Sequence, residues 1–212
     1  KPQSSSLGCG QVLHCPYTAD KARIVIQEMI DGISLELVEK RLVTDQLVLT
    51  VGYDIENLTR PEIRKVYKGP VTTDRYGRRV PKNAHGTWNL PRATSSSSEL
   101  LEAMAALYDK IVNPALLIRR MSLSACHVVN EKMAKEREQK ETFEQLDLFT
   151  DYAKKEAKEK EEQKKRERER RMQEALLTIK KKYGKNAVLR GMNFEEGATA
   201  KERNGQIGGH QA

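Results

Sequence analysis

The sequence predicts an α+β fold: a four-stranded sheet with two helices on one face, in the order β-α-β-β-α-β, then a long charged helix and an irregular tail. Three observations predict it. Strand-period alternation and helix-period apolar stripes take turns through residues 1–130. Composition shifts near residue 130, and charge dominates from there on. The hydrophobic fraction is 38%, below the roughly 45–50% of a compact domain, so a packed core does not extend along the whole chain.

Leu7 to Cys15 reads as the first strand, with Gly8 and Gly10 marking a bulge or a close backbone approach. Thr18 caps a helix, although Lys21 at the box position removes the reciprocal bond. Ala22, Ile26, Met29, Ile30, Ile33, Leu37 and Leu42 share one face of it. Val43 to Tyr53 is the clearest strand: Leu47, Leu49 and Val51 point one way, and Gln46, Val48 and Thr50 the other. Residues 55–83 hold Pro61, Gly69, Pro70, Gly77 and Pro81 and read as a long excursion. Ala84 to Ala93 is a third strand, interrupted by Pro91. Ser98 or a neighbour caps the second helix, whose apolar face is Leu100, Leu101, Met104, Leu107, Tyr108 and Ile111. Pro114 ends it, and Leu116 to Val129 is the fourth strand. Two helices bury one face of such a sheet. The other face carries Gln46, Thr50, Arg120, Ser122 and Ser124 and is left for a partner.

Four regions follow: 1–130 as the folded domain, 131–150 as a linker, 151–183 as a charged helix and 184–212 as a tail without a fixed fold of its own. The helix is supported by the i,i+4 pairs Glu156–Lys160, Glu161–Lys165, Glu162–Arg166 and Glu167–Arg171, with the acid on the N-terminal side. Gly184 is a natural stop, after Lys180, Lys181 and Lys182 at the negative end of the dipole. No sustained heptad supports a coiled coil. Met172, Ala175, Leu176, Ile179 and Tyr183 are the residues expected to dock it.

The balance of 38 Lys+Arg against 30 Asp+Glu gives a net charge of +8. A polyanionic partner, in practice nucleic acid, is the expectation. No run of about 18 apolar residues exists to span a membrane, and no signal peptide is visible. Three cysteines, Cys9, Cys15 and Cys126, form no disulfide framework, which suits a reducing, cytoplasmic setting. Cys9, His14 and Cys15 read as incidental, a zinc site being the alternative. The first residue is Lys1, and the chain reads as a C-terminal or processed piece of a larger protein.

Two features carry chemistry. Residues 60–92 place Arg60, Arg64, Lys65, Lys68, Arg75, Arg78, Arg79, Lys82 and Arg92 against only Glu62 and Asp74. Phosphate is the natural counterpart of such an excess. Within the charged linker, Gln145-Leu146-Asp147-Leu148-Phe149 is an apolar island. It either packs back on the core or orders on a partner's groove, with Leu148 and Phe149 as anchors and Gln145 at the rim. His14, His85, His127 and His210 have no nucleophile or paired carboxylate at an informative spacing. Asp54 and Glu56 resemble a metal pair only superficially, and Trp88 and Tyr53 read as core.

QLDLF resembles the pentapeptide by which bacterial polymerases and repair proteins bind the sliding clamp, matching Q-L-[S/D]-L-F at every position. Residues 1–130 resemble the little finger of Y-family translesion DNA polymerases. Ser6-Leu7-Gly8 is similar to the start of that domain's first strand, and Ile118-Arg119-Arg120-Met121 to the basic run of its last. TDQLVLTVGYD, TTDRYGRRVPKNAHGT and GATAKERNGQIGGHQA are similar to the Gram-positive DinB/UmuC-type branch, so the resemblance covers nearly the whole chain.

The resemblance implies a non-catalytic fragment that grips primer–template DNA and tethers an error-prone polymerase to the clamp in the response to DNA damage. It implies DNA contacts at Ser6, Gly8, Arg119, Arg120 and Ser124, and the basic excursion adds Arg75, Arg78, Arg79 and Lys82. No cofactor is expected in this fragment; Mg2+ and its carboxylates belong to the family's catalytic palm, absent from this sequence. The helix and tail are available to other repair proteins. The alternative reading is an RNA-binding module with a helical arm, although no stacking aromatics are evident on the strands.

Overall fold

The computed structural model describes residues 5–74, 76–141, 152–207 and 210–211, with 138–141, 152–159, 206–207 and 210–211 by backbone alone. The chain is α+β. Its main sheet is antiparallel, in the order β1-β6-β2-β5. These strands are β1 (Ser5–Tyr17), β2 (Leu42–Tyr53), β5 (Ala84–Thr94) and β6 (Ile118–Asn130). Helices α1 (Ala19–Lys40) and α4 (Ser97–Ile111) cover one face. Between β2 and β5 lie two short helices, α2 (Glu56–Thr59) and α3 (Pro61–Val66), and a small hairpin of β3 (Val71–Thr73) and β4 (Arg79–Pro81). The excursion therefore has structure of its own, closed onto the domain by the buried Val80.

The core forms where the alternation placed it. Leu47, Leu49 and Val51 of β2 and Leu123 and Ala125 of β6 are essentially inaccessible. They meet Val25, Ile26, Met29, Ile30, Ile33 and Leu37 of α1 and Leu100, Met104 and Leu107 of α4. Burying such side chains stabilises by about 1.5–3 kcal/mol each before chain entropy is counted. Trp88 packs against this core, and the hydroxyl of buried Tyr53 accepts from the Asn113 N–H at 2.9 Å, so both are structural. Burial also pushes the Cys9 thiol up to about 11, leaving it uncharged at neutral pH.

Local chemistry sets the element ends. Thr18 occupies the N-cap position of α1 with extended backbone and makes no side-chain bond there. The true cap of α4 is Ser96, whose hydroxyl accepts from the Glu99 N–H at 3.2 Å. Strand β5 continues through Pro91, but its pairing with β2 slips between Asn89 and Thr94, because proline offers no ladder N–H.

Beyond β6 come α5 (Glu131–Glu141), α6 (Tyr152–Tyr183), a 3-10 turn at Gly191–Phe194, α7 (Ala200–Arg203) and the two-residue strands β7 (Gln206–Ile207) and β8 (His210–Gln211). Gly184, at φ +95°, closes α6 with its N–H on the Lys180 carbonyl. The docking of α6 corrects the sequence expectation. Of the residues expected to dock, Met172, Ala175, Ile179 and Tyr183 are exposed and Leu176 is half-buried, while Gln173 is buried. The receiving surface is the polar Ser95–Ser98 turn at the start of α4, so polar groups match it. Glu169 accepts from the hydroxyls of Ser96 (2.6 Å) and Ser98 (3.0 Å) and from the Ser98 N–H (2.8 Å). Gln173 donates to the Ser95 carbonyl and the Ser97 hydroxyl, and Arg170 donates to Ser95 and Glu131.

The tail expectation is corrected in the same way at residues 185–205. Regular structure is scarce there, but the segment is strapped to α1. The Glu28 carboxylate, 3% exposed, accepts from the N–H groups of Thr199 (2.8 Å) and Ala200 (2.9 Å), and from the Asn193 amide (2.8 Å). Arg190 lies 2.7 Å from Asp31, and Arg203 donates to Gln11 at 2.8 Å. Residues whose partners lie in α1, more than 150 positions away, could not show this in their own neighbourhood.

Candidate functional site

The sheet face opposite α1 and α4 is uncovered among the described residues, and the strand register makes it a grid. Across it run Val12, Arg120 and Gly52; then Gly10, Ser122, Thr50 and His85; then Gly8, Ser124, Val48 and Thr87; then Cys126, Gln46 and Asn89. Ser6 continues the β1 edge. These residues are exposed or half-exposed except Gly52. None is aromatic apart from the imidazole, and none is a carboxylate.

Several expected contacts come together on this grid. Ser6, Gly8 and Ser124 occupy its first two strands, with Gly8 directly opposite Ser124. A methyl group at Gly8 would fall 2.8 Å from the Ser124 hydroxyl, so glycine leaves room for that hydroxyl on the face. Arg120 is exposed and crosses Gly52: a Cβ there would sit 2.5 Å from its Cγ. Its guanidinium makes no ion pair among the described residues.

Arg119 differs. It falls where the β6–β2 register slips, between the pairs Tyr53–Ile118 and Gly52–Arg120. Its guanidinium donates to the His14 carbonyl at 3.1 Å and lies 3.6 Å from the buried Asp54 carboxylate. Asp54 also accepts from the Glu56 N–H at 2.8 Å, and Glu56 pairs with Arg60. The superficial metal pair is thus engaged in fold contacts, and Arg119 locks the end of the sheet.

The basic excursion divides similarly. Arg60, Arg78 and Arg92 are paired with Glu56, Asp74 and Glu99. Asp74 also accepts from the N–H groups of Arg78 and Tyr76, and these bonds hold its carboxyl below the usual range. Arg64, Lys65, Lys68, Arg79 and Lys82 remain exposed and have no ion pair among the described residues. The hairpin carrying Arg79 leaves the sheet between Tyr53 and Ala84, the end at which Arg120 enters. The free cations and Arg120 therefore share one end of the molecule. Arg75 and the pentapeptide Gln145, Leu146, Asp147, Leu148 and Phe149 lie outside the described residues.

The open face extends to β5, beyond the residues expected to form it. Thr50 and His85 are hydrogen-bonded there, Oγ1 to Nδ1 at 2.9 Å, and Gln46 donates to Asn89 at 2.9 Å. The signal was present as the polar alternation His85, Thr87, Asn89 opposite Gly86, Trp88, Leu90. Chemically the face offers hydroxyl and amide hydrogen-bond groups on a shallow surface with a cationic end, and its grid positions hold no acid among the described residues.

No family model matches the chain, and no curated protein matches it. Among solved structures it is similar to a chain described as "Complex of beta-clamp processivity factor and little finger domain of PolIV". The likeness is 9% identical with a TM-score of 0.36, over 57% of this chain and 86% of that one. Among the described residues, no helix is long and apolar enough to cross a membrane.

Proposed function

We propose that this chain grips the backbone of primer–template DNA with its open sheet face and tethers a translesion polymerase to a sliding clamp through Gln145-Leu146-Asp147-Leu148-Phe149. The observation that carries the DNA part is the make-up of the grid. Ser6, Gly8, Ser122, Ser124, Thr50 and Thr87 share one face with Arg120 at its end, and the grid holds no aromatic platform and no carboxylate. Hydroxyls, small residues and an arginine suit phosphate and sugar, which position a duplex without reading its bases. A module for single-stranded RNA would instead stack bases on aromatic rings, and the large aromatics Trp88 and Tyr53 are committed to the core. Arg79 and Lys82 extend the positive end. The clamp part rests on the match of the pentapeptide to the clamp-binding pattern.

Polymerisation, and the Mg2+ it needs, belong in this reading to catalytic domains outside this sequence. The chain contributes position. A DNA contact and a clamp contact, each modest, reinforce one another by effective concentration. The setting of this reading is the cytoplasm, during repair of DNA damage.

The test is binding to an immobilised bacterial sliding clamp and, separately, to a primer–template duplex. Leu148→Ala with Phe149→Ala abolishes clamp binding and leaves duplex affinity unchanged. Equal clamp binding by the double variant would overturn the motif assignment. Tighter binding to single-stranded RNA than to the duplex would transfer the sheet to the RNA reading.

A further inference from the structure

The outward side of α6 carries an apolar stripe that is uncovered among the described residues. Met172, Ile179 and Tyr183 are 53%, 37% and 67% exposed, at spacings of seven and four residues. With about 100° between successive residues, they share one side, with Ala175 beside them. The helix is fixed through another side, by Glu169, Arg170 and Gln173 on the Ser95–Ser98 turn and by Lys181 on Glu39 at 2.8 Å. The stripe is therefore presented on a helix that is held still. Contiguous apolar surface of this kind on a highly charged element marks a contact surface.

The charges around the stripe specify what fits it. Lys164, Lys165, Arg168 and Lys182 flank it, and none of them has an ion pair among the described residues. Between residues 164 and 183 the only carboxylate on this half of the helix is Glu169, already bound to Ser96 and Ser98. The acids of the same stretch that are free of the serines, Glu167 and Glu174, fall on the opposite half. A second copy of this surface would bring like charges together. Nucleic acid would satisfy the cations but would leave Met172, Ile179 and Tyr183 unused. An anionic membrane calls for a broad apolar face, and here one flank of the helix is occupied by the domain.

We propose that this stripe docks an acidic amphipathic helix of a second protein, its apolar side on Met172, Ile179 and Tyr183 and its carboxylates on Lys165, Arg168 and Lys182. Helix-on-helix recognition of this type reads anchors at i, i+4 and i+7 spacings, and the charge rim sets orientation and partner choice. The surface is independent of the sheet and of the pentapeptide, so it stands whether or not those bind DNA and clamp.

The test uses the full chain and a synthetic 20-residue helical peptide with leucines along one side and glutamates on both flanks. A scrambled peptide of the same composition is the control. Fluorescence anisotropy should show saturable binding of the amphipathic peptide and at least about tenfold weaker binding of the scramble. Ile179→Glu with Tyr183→Glu should weaken the amphipathic peptide by about tenfold or more, and Arg168→Glu with Lys165→Glu should do the same. Both pairs lie on exposed positions, and unchanged melting curves confirm that the fold is kept. Equal binding of the scramble, or binding insensitive to Ile179 and Tyr183, would overturn the proposal in favour of a simple polyanion surface. So would absence of binding, or binding to anionic vesicles that competes the peptide away.

Discussion

Two neighbouring arginines show how little a residue type says without its surroundings. Arg120 is exposed, crosses Gly52 and has no acid beside it, whereas Arg119 spends its guanidinium on His14 and Asp54. Arg120→Ala should weaken duplex binding uniformly across sequences and lower the log–log salt slope by about 1, with Tm unchanged. Arg119→Ala should lower Tm and leave the slope alone. Thermal melts and salt titrations of the two variants separate these outcomes. Glu28 is the matching case on the helical side. Glu28→Ala removes the acceptor of four groups of residues 193–200. It should cost about 2 kcal/mol and speed amide hydrogen exchange across 190–205 while α1 stays protected. Asp31 gives the pH dependence. Burial raises its carboxyl above the ordinary range, and this outweighs the attraction of Arg190. A raised folded-state value means that its contribution is fully present below the unfolded value of about 3.9 and is lost as pH rises through the folded one. Asp31→Asn should therefore raise Tm at pH 7, with the difference shrinking towards pH 3.

At the scale of elements, closeness of approach decides the packing of α4 on the sheet. A side chain at Gly86 would begin 2.8 Å from Ile111 Cγ2 and 3.0 Å from Leu107 Cδ1. Gly86→Val should overpack this contact at a cost of about 1–3 kcal/mol, read as a lower denaturation midpoint with an unchanged slope. The same glycine was visible in sequence only as a small residue in a strand. Helix α6 teaches the complementary point. Its buried side is polar where the turn that receives it is a run of serines, with Leu176 and Leu177 half-buried beside Gln173, so apolar periodicity alone does not tell which side docks. Among the described residues of α6, Arg170 is bonded to Glu174 and reaches Glu131 of α5, pairings outside the expected i,i+4 ladder.

Over the whole molecule the two faces of the sheet have opposite fates. One is covered by α1 and α4, and these in turn carry α6 and the strap at 185–205. Among the described residues the other is bare, and it ends at excursion cations that make no ion pair there. This asymmetry suits a part that presses one surface on a polyanion and offers its back to proteins. Duplex affinity should fall steeply and linearly in log salt, and Arg79→Ala with Lys82→Ala should reduce the slope by up to about 2. A slope equal to that of the unaltered chain would remove the hairpin from the interface.

The sequence by itself determined the order of the four sheet strands and the two helices that cover them, the inward side of β2, the stop at Gly184 and the presence of a polar open face, because these depend on periods of two and 3.6 residues and on local backbone preferences. It also displayed the pentapeptide, since a short linear motif is complete without a fold. Only the tertiary structure decided which cations are free, how β5 completes the grid, and how Glu28, Glu169 and Gln173 bind α6 and the strap to the domain. The bonds of Glu28, Glu169 and Gln173 join residues 71 to 172 positions apart, and a pairing at that separation leaves no periodic trace in either partner's neighbourhood.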